Sequence, residues 1–589
     1  MIVKMRKMTF IGLNAEKEEF MKRLQQAGVT HLILPPEAAE PQELAKELQK
    51  VGEVKKFLAR RAPKERPAAS GDAATICARR EELAQQENRL AVELTQLRKE
   101  RALLAPWGDF NIADLGLLRA KGLVLQFYRA SARLLASLPL DGVFHLKAGD
   151  GPGETPFVTI TREPLQLGLL PDKMPERGLA EVERLIGEKE AQQQAIQAEY
   201  NDLAQRLAVL EQAEAELTDE VEYRRALLNT AAELEDRLFV LKCWSAATEE
   251  DLVKSLGDDL TFYHYAEEPE DGDRVPVLLA NKPAFAPGED LVQIYSHPNY
   301  ADFDPSGIVF YSFAFFYGMI IGDFGYGVVL TLLTVLLHRK AKDPSPLAKR
   351  MITLSYLLGG STMFFGLITA SYFGVALDPG NPLTKIMLMD FGTKEGQSHA
   401  MLVSIIIGMV HISIALIIKL KRNRDLPSLG WLLVTWAGLF VLQDYMKGAP
   451  IQPVAMWVLI AGFAVVILFT SDHKNFLIRI LAGLNGALGA IQLFADVLSY
   501  MRLFALGLAT MYMCQTFNML GGMTKDSVPY IGYVFAALVL VCGHAINIVL
   551  GIMGGVVHGL RLNFLEWYRW CFEGDGLPFK PFRQIAKRA

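Results

Sequence analysis

The stretch that decides the fold is FADVLSYMRLFALGLATMYM, residues 494–513, in which one arginine interrupts an otherwise apolar run. A membrane-spanning helix needs about 20 predominantly apolar residues. An arginine at the centre of a bilayer costs roughly 2.5 kcal/mol or more on insertion scales, so a chain that keeps one there generally has a use for it. Arg502 is therefore the first candidate functional residue.

The composition predicts a chain that is part soluble and part membrane-embedded. Its 589 residues are 51% hydrophobic with a formal net charge of −5, and the mean hydropathy is +0.20. The small charge and the lack of a long basic run argue against a nucleic-acid partner. The N-terminal stretch lacks the continuous apolar core of a signal peptide, which predicts a cytoplasmic N-terminal part. The five cysteines contain no CxxC pair and predict neither a disulfide framework nor a zinc site.

Residues 1–300 have the charged composition of a cytoplasmic domain. KMTFIGL (7–13), a helical pattern and VTHLILPP (29–36) indicate a strand–helix–strand unit, and residues 236–268 repeat it. Together they predict a membrane-proximal α+β lobe formed by residues 1–80 and 229–300, which also holds the start of a rod.

Leucine-rich heptads predict that the rod is an antiparallel coiled-coil hairpin formed by residues 81–104 and 179–228. The intervening residues 105–178 contain strand-like GVFHLKAG and FVTITRE and predict a distal lobe. The alternative is one long solvated helical bundle. The proposed seam residues are Leu83, Leu90, Leu94, Leu97 and Leu104 on one arm and Ile196, Tyr200, Leu203, Leu207, Leu210, Leu217, Val221 and Leu228 on the other.

Residues 301–589 predict an all-α polytopic membrane domain of eight transmembrane helices. With eight spans, the basic loops HRKAKDPSPLAKR, KLKRNRD and SDHKNFLIR and the tail KPFRQIAKRA all lie on the cytoplasmic side with both termini. Joining the first two spans would place these basic segments outside. The candidate spans are 307–321, 324–338, 351–373, 400–418, 429–446, 453–470, 484–519 and 528–566.

The last two spans carry the unusual polar residues. If span seven is one helix, Gln492, Ser499 and Thr510 flank the face of Arg502 and could hydrate a passage. In span eight, His544, Asn547, His558 and Arg561 share a stripe with two glycines.

A structural interpretation of these residues competes with the functional one. Asp496, the carboxylate deep in span seven, lies about 120° around the helix from Arg502, so a pair within that helix is awkward. Arginines without matching acids favour a partner outside the chain. The histidines could instead be helix–helix hydrogen bonders, and Asp323 in GDFGYG suits a tight-turn role.

SYMRLFALGLA (499–509) and HGLRLNFLEW (558–567) resemble the two arginine motifs of subunit a, also called subunit I, of prokaryotic V-type and A-type rotary ATPases. FFYGMIIGDFGYG (315–327) is similar to that family's first membrane hairpin. YSHPNYADFDPS (295–306) is similar to the segment that leads into it, although the family more often has a small or apolar residue near His297. Eukaryotic relatives carry a glutamate in span eight where this chain has Gly551.

The resemblance implies a non-catalytic stator subunit in the inner cell membrane that translocates H⁺ or Na⁺ and needs no cofactor. Arg502 and Arg561 would serve ion translocation, and the flanking polar residues would line half-channels. The implied partners are a proteolipid c-ring, peripheral-stalk subunits, an ATPase head linked through the stator and the central stalk, and membrane lipids. No GxxxxGK[ST] motif occurs, and GDGPGE (149–154) lacks its lysine, so nucleotide chemistry would belong to partners.

Two other function classes compete with this one. A secondary ion transporter with a cytoplasmic coiled-coil domain would usually show two related halves, and no internal repeat runs across the eight spans. A membrane-anchored structural tether would leave Arg502 and the span-eight stripe without a purpose.

Overall fold

The computed structural model describes the chain except residues 36, 64–70, 141, 149–153, 174–176, 236, 271, 342–343, 376–386, 390, 472, 474, 528–529 and 586–589. Most of GDGPGE, parts of the basic loops and the last four residues of the basic tail lie outside the described residues. The chain forms two compact units. The first comprises residues 1–8, 242–249 and 265–581, and the second comprises residues 9–241, 250–264 and 582–589.

The first 295 residues mix helices and strands. In chain order they form β1 (Arg6–Leu13), α1 (Lys17–Ala27), β2 (Thr30–Leu32), α2 (Gln42–Ala59), α3 (Ala73–Leu104), α4 (Ile112–Ala120), β3 (Val124–Ala130), α5 (Ala132–Ser137), β4 (Phe144–Lys147), β5 (Thr155–Thr161), α6 (Leu179–Gln205), α7 (Leu207–Leu228), β6 (Ala231–Glu233), β7 (Leu238–Ser245), α8 (Glu249–Leu256), β8 (Phe262–Glu267), β9 (Pro276–Val277) and α9 (Ala286–Tyr295).

The two strand–helix–strand segments share one sheet, with strand order β2-β7-β1-β8 and β6 antiparallel to β7. Apolar rings from β1, α1 and β7 pack on it. The ring centroids of Phe10 and Phe20 lie 5.3 Å apart, and those of Phe20 and Phe239 lie 5.1 Å apart. At Gly12 a Cβ atom would lie 2.7 Å from the Phe239 ring, so this close approach requires glycine.

Helices α3 and α6 run antiparallel, as the ion pairs between them show: a later residue of α3 pairs with an earlier residue of α6. Arg79 pairs with Glu199 at 2.7 Å, and Arg98 pairs with Glu190 at 2.8 Å. Every leucine of the upstream seam is buried, as are Ile196, Tyr200, Leu203, Leu207 and Leu210.

The helical arms differ from the predicted two-helix hairpin in three ways. The downstream arm breaks at Arg206 into α6 and α7. At the end of α7, Leu228 is 57% exposed and lies outside the seam. Helix α2 supplies Val51, Val54 and Leu58 to the same apolar cluster, a third contributor that the heptad pattern did not predict.

Between the two arms, the chain forms a small antiparallel sheet of order β3-β5-β4. Tyr128 pairs with Phe157 in the β3–β5 register, and Leu146 pairs with Val158 in the β4–β5 register. The predicted strands GVFHLKAG and FVTITRE contribute residues 144–147 and 157–161 to this sheet. The Trp107 ring packs edge-on against Phe127, with centroids 5.3 Å apart.

From residue 306 onward the described chain is almost entirely helical. It forms α10 (Ser306–Ile321), α11 (Phe324–Lys340), α12 (Pro346–Ile368), α13 (Lys394–Asn423), α14 (Leu426–Met446), α15 (Pro453–Phe469), α16 (Phe476–Ala487), α17 (Gly489–Ser499), α18 (Met501–Ser527), α19 (Ile531–Arg561), a π-helical turn (Leu562–Trp567), α20 (Tyr568–Cys571) and β10 (Leu577–Pro578).

Within the described residues, five segments are long and apolar enough to cross a membrane, which indicates a membrane protein. Helices α10 and α15 are apolar but shorter, and α11 has 17 residues. The five segments are Pro346–Ile368, Lys394–Asn423, Leu426–Tyr445, Phe476–Lys525 and Ile531–Cys571.

Span seven is not the single helix that the sequence analysis assumed. It breaks at Leu488 and again at Tyr500 into α16, α17 and α18. Only the interruption at Tyr500 lies between Gln492 and Thr510, so these two residues belong to different helices, α17 and α18.

Two aspartates, Asp302 and Asp304, fix the segment before α10 through hydrogen bonds. Asp302 accepts a hydrogen bond from Arg422 at 2.7 Å and another from the Gly574 backbone N–H at 3.2 Å. Asp304 accepts from the N-terminal ammonium group and from the Ser306 backbone N–H. Burial lowers the pKa of His297 in the same segment, so its neutral form is favoured.

Candidate functional site

Arg502 and Arg561 converge on one buried carboxylate. Arg502 Nη1 lies 3.1 Å from Glu566 Oε1, and Arg561 Nε lies 3.8 Å from the same oxygen. The Glu566 side chain is 5% exposed, whereas Arg502 is 27% and Arg561 50% exposed. Two guanidinium cations and one carboxylate give this triad a net positive charge.

The π-helical turn explains why Glu566 reaches the arginines. Glu566 follows Arg561 by five residues, which in an α-helix would place it about 140° away around the axis. A π-helix joins residues five apart by its hydrogen bonds, so such residues come to lie nearly on the same side. Residues 562–567 form that turn directly after Arg561. The prediction that Arg502 has no matching acid in the chain is therefore wrong.

Ser499 contributes to the same site from the end of α17. Its Oγ accepts a hydrogen bond from Arg502 Nη2 at 3.1 Å. The two terminal nitrogens of the Arg502 guanidinium are thus bound on different sides, one by Ser499 and one by Glu566. The planar, rigid guanidinium is consequently held in one orientation.

Gln492 lies in a second polar cluster, centred on Asp496. Its Nε2 donates to Asp496 Oδ1 at 2.8 Å. The same carboxylate accepts from Arg569 at 3.1 Å and from the Trp570 indole at 3.0 Å. Asp496 thus pairs with residues C-terminal to span eight and not with Arg502.

A third cluster joins α11, α18 and α19 around Tyr326. Its hydroxyl lies 2.7 Å from His544 Nδ1, 3.1 Å from Asn547 Nδ2 and 3.1 Å from Cys514 Sγ. His544 Nε2 lies 3.0 Å from Asn518 Oδ1. The predicted residues His544 and Asn547 therefore belong to one hydrogen-bonded network, and the tyrosine at its centre was missed.

The hydrogen bonds of this network assign the protonation of His544. Asn518 Nδ2 donates to the Phe373 carbonyl oxygen at 2.7 Å, so its Oδ1 is the acceptor that faces His544. Nε2 of His544 therefore carries the proton, and Nδ1 accepts from the Tyr326 hydroxyl. Sequence periodicity cannot reveal such a network because its members come from three helices.

Thr510 is buried and bonded to backbone. Its Oγ1 donates to Leu506 O at 3.0 Å and lies 3.3 Å from Ile320 O, while its own carbonyl accepts from Asn547 Nδ2 at 3.0 Å. His558, one turn before Arg561, is partly buried, and its Nδ1 has no hydrogen-bond partner among the described residues.

Asp323 caps α11 and holds the neighbouring loop. Its carboxylate accepts from the backbone N–H groups of Tyr326, Phe373 and Gly374 and from the Ser371 hydroxyl, at 2.6–3.1 Å. This arrangement agrees with the turn role that the sequence indicated.

Among the five long apolar segments of the described residues, the two that carry the arginines are the least covered by the rest of the chain. Only 11% of the apolar window in Phe476–Lys525 and 22% of that in Ile531–Cys571 are buried, compared with 28–44% in the other three segments. Their exposed apolar side chains need lipid or another protein around them.

Comparisons with known proteins support the resemblance to subunit I. No protein-family profile matches the chain. V-type ATP synthase subunit I of Chlamydia trachomatis serovar D is 28% identical over an alignment of 582 residues that covers 86% of each chain. The Chlamydia pneumoniae protein of the same name is 26% identical and covers 83% of each. A-type ATP synthase subunit I of Methanocaldococcus jannaschii is 27% identical over 67% of this chain and 63% of its own. The resemblance to subunit I is thereby confirmed, and the chain is a homologue of the subunits I of V-type and A-type ATP synthases.

Proposed function

We propose that this chain is the membrane stator subunit of a rotary V/A-type ATPase, against which a proteolipid ring turns while H⁺ or Na⁺ crosses the membrane. The observation that carries the proposal is the triad of Arg502, Arg561 and Glu566. It presents net positive charge on the two least covered of the five long apolar segments.

The triad can strip an ion from a passing rotor carboxylate. A carboxylate in lipid is carried neutral, with a proton or Na⁺ bound, because the bare charge is costly there. A guanidinium stays charged in proteins. When the rotor carboxylate meets Arg502, the ionised form is favoured and the bound ion is released. The same positive charge repels free cations and so prevents a direct leak.

The polar clusters on either side of Arg502 support two separate half-channels. Gln492 and Asp496 form one cluster that precedes Arg502 in span seven, and Ser499 bonds Arg502 itself. The Tyr326 network contacts α18 at Cys514, which is about 18 Å further along the helix. In the eight-span arrangement with both termini inside, the first cluster faces the cytoplasm and the second faces the outside.

The N-terminal 300 residues would be the stator arm. A rod with an apolar seam and a small lobe between its arms is suited to resist torque and to bind peripheral-stalk helices. ATP chemistry would belong to the head subunits, so this chain would be a non-catalytic part of the complex.

Thiol labelling tests the proposed ion pathway. In a background without native cysteines, we expect cysteine at His544 or His558 to react with a water-soluble reagent, because thiolate forms where water reaches the side chain. Cysteine at Asn547 should react more slowly, because this residue is 1% exposed. Reaction is read by mass spectrometry on the purified complex.

Val549→Cys is the matched control, since Val549 is 56% exposed on the same helix but apolar. Equal protection at His544, His558 and Val549 would contradict the pathway and leave helix packing as the role of the stripe. Co-isolation of a proteolipid ring and an ATPase head with the tagged chain separates the rotary subunit from a transporter or a tether.

A further inference from the structure

We infer that His411 of α13 is a positioning residue that holds the two arginine-bearing spans together, through a hydrogen bond to Tyr500 and a ring stack on Trp567. This inference rests on the proposed function and concerns the support of its site. Tyr500 precedes Arg502 by two residues, and Trp567 directly follows Glu566. The imidazole therefore contacts both segments that carry the charged groups.

The contact with span seven lies at an interruption of that span. Tyr500 is the residue between α17 and α18, and its side chain is fully buried. His411 Nδ1 lies 2.7 Å from the Tyr500 hydroxyl oxygen. At Gly408, one turn earlier in α13, a Cβ atom would lie 2.6 Å from the Tyr500 ring, so this ring packs directly on the backbone of α13. Helix α13 thus fixes the point from which α18 and its arginine begin.

The contact with span eight is made at the π-helical turn. The imidazole of His411 stacks on the Trp567 indole, with ring centroids 5.2 Å apart and an angle of 13° between the ring planes. The Tyr500 hydroxyl oxygen also lies 3.5 Å from the carbonyl oxygen of Leu562, the first residue of the turn. Phe316 of α10 packs edge-on against the rings of His411 and Tyr500, at 5.1 and 5.7 Å. The two arginine-bearing spans consequently meet at one histidine–tyrosine pair.

The chemistry of the imidazole favours a specific role over simple packing. His411 is 5% exposed, and the Tyr500 hydroxyl is the one hydrogen-bond partner of its ring among the described residues, because Nε2 has none. A buried polar atom without a partner is unfavourable, so an apolar side chain would fill this space at lower cost. What a histidine adds here is the directional hydrogen bond at Nδ1.

The burial of the membrane segments shows which helix is the support. The apolar window of the segment that contains α13 is 44% buried, the largest share among the five long apolar segments of the described residues. His411 thus ties the two least covered segments to the most enclosed one. The attraction between a guanidinium and a rotor carboxylate falls with their separation, and a displacement of about 1 Å at a functional group can cost roughly 100-fold in rate.

Tyr500→Phe is the principal test, because it removes the hydroxyl group and keeps the ring. In the purified complex reconstituted into vesicles, we expect normal assembly, continued ATP hydrolysis and about tenfold slower ATP-driven ion transport. His411→Leu should lose at least as much transport. Adding Tyr500→Phe to His411→Leu should cause no further loss, because the hydrogen bond is then already absent.

His411→Asn separates the hydrogen bond from the packing of the ring, since its amide nitrogen can take the place of Nδ1 and donate to the hydroxyl oxygen. It should transport ions several times faster than His411→Leu, and adding Tyr500→Phe should slow it. Should His411→Leu fail to assemble, Tyr500→Phe alone and in His411→Asn decides. His338→Leu is the matched control, because His338 Nδ1 lies 3.1 Å from the Tyr356 hydroxyl in an exposed pair between α11 and α12. It should transport at the wild-type rate.

Transport at the wild-type rate in assembled Tyr500→Phe overturns the inference. So does a His411→Asn variant that is no faster than His411→Leu, or a Tyr500→Phe variant that fails to assemble, which would give the pair a role in folding only. Arg502→Ala measured alongside keeps the two proposals apart. If it still transports, the proposed function fails; if it is inactive while Tyr500→Phe behaves as wild type, only the role of His411 is lost.

Discussion

Arg502→Ala is expected to abolish ATP-driven ion transport in complexes that assemble and insert normally. Without the guanidinium, nothing favours the ionised form of the rotor carboxylate, so the ion is not released at the stator. Transport is measured in reconstituted vesicles, and assembly is measured by subunit stoichiometry. We also expect a passive leak, because no fixed positive charge then separates the half-channels.

Two further substitutions give this prediction its controls. Arg502→Lys keeps a charge but loses the planar fork and can deprotonate in an apolar setting, so transport should be lost with a smaller leak. Arg479→Ala removes an arginine near the start of the segment Phe476–Lys525, one that bonds the Leu468 carbonyl oxygen and stacks on Phe469. It should leave transport near the wild-type level. Full transport by well-assembled Arg502→Ala would refute the mechanism.

Replacing Leu203, Leu207 and Leu210 together with aspartate is expected to unfold the rod. These side chains are 7%, 2% and 0% exposed within one apolar cluster. Truncating a single buried leucine to alanine typically costs about 2–5 kcal/mol, and a buried unpaired charge costs more. Since domains are stable by only about 5–15 kcal/mol, three such changes should exceed the stability of the rod. The membrane segments should stay inserted while the ATPase head is lost on purification.

The same unit offers a matched triple control. Val92, Leu103 and Leu228 are 60%, 58% and 57% exposed, so aspartate at these positions should leave assembly intact. Unfolding is measured by the protease sensitivity of residues 73–228. Loss of the head is measured by the yield of head subunits that co-purify with the tagged chain. If the variant with aspartate at Leu203, Leu207 and Leu210 still gave a complex that couples ATP hydrolysis to ion transport, the apolar seam would not be what holds the stator arm to the head.

Much of the fold follows from periodicity, because helices bury one face. The seam leucines of α3 are all buried, and the two distant strand–helix–strand segments meet in one sheet. Composition also revealed the two arginines, since a charge in an apolar run is conspicuous. Both signals are local to the sequence.

The features that could not be predicted from the sequence depend on interruptions of helical periodicity and on contacts between helices. Glu566 was overlooked as a partner because an α-helical projection turns it away from Arg561, and only the π turn brings it back. The interruptions at Leu488 and Tyr500, which divide span seven into three helices, were likewise not predicted. Tyr326 contacts His544 from 218 residues away, a separation that no local pattern reports.

Disulfide trapping tests most directly the central claim that the Arg502 face meets the rotor. Ala505 lies about one turn beyond Arg502 and is exposed. Leu503, the residue directly after Arg502, is fully buried. In a cysteine-free background, Ala505→Cys should cross-link to a cysteine placed one helical turn from the rotor carboxylate. ATP-driven rotation should stop when the disulfide forms and should return when the disulfide is reduced. Leu503→Cys should not cross-link. A complex that contains the ring but gives no adduct at Ala505, or equal adducts at both positions, would contradict the account.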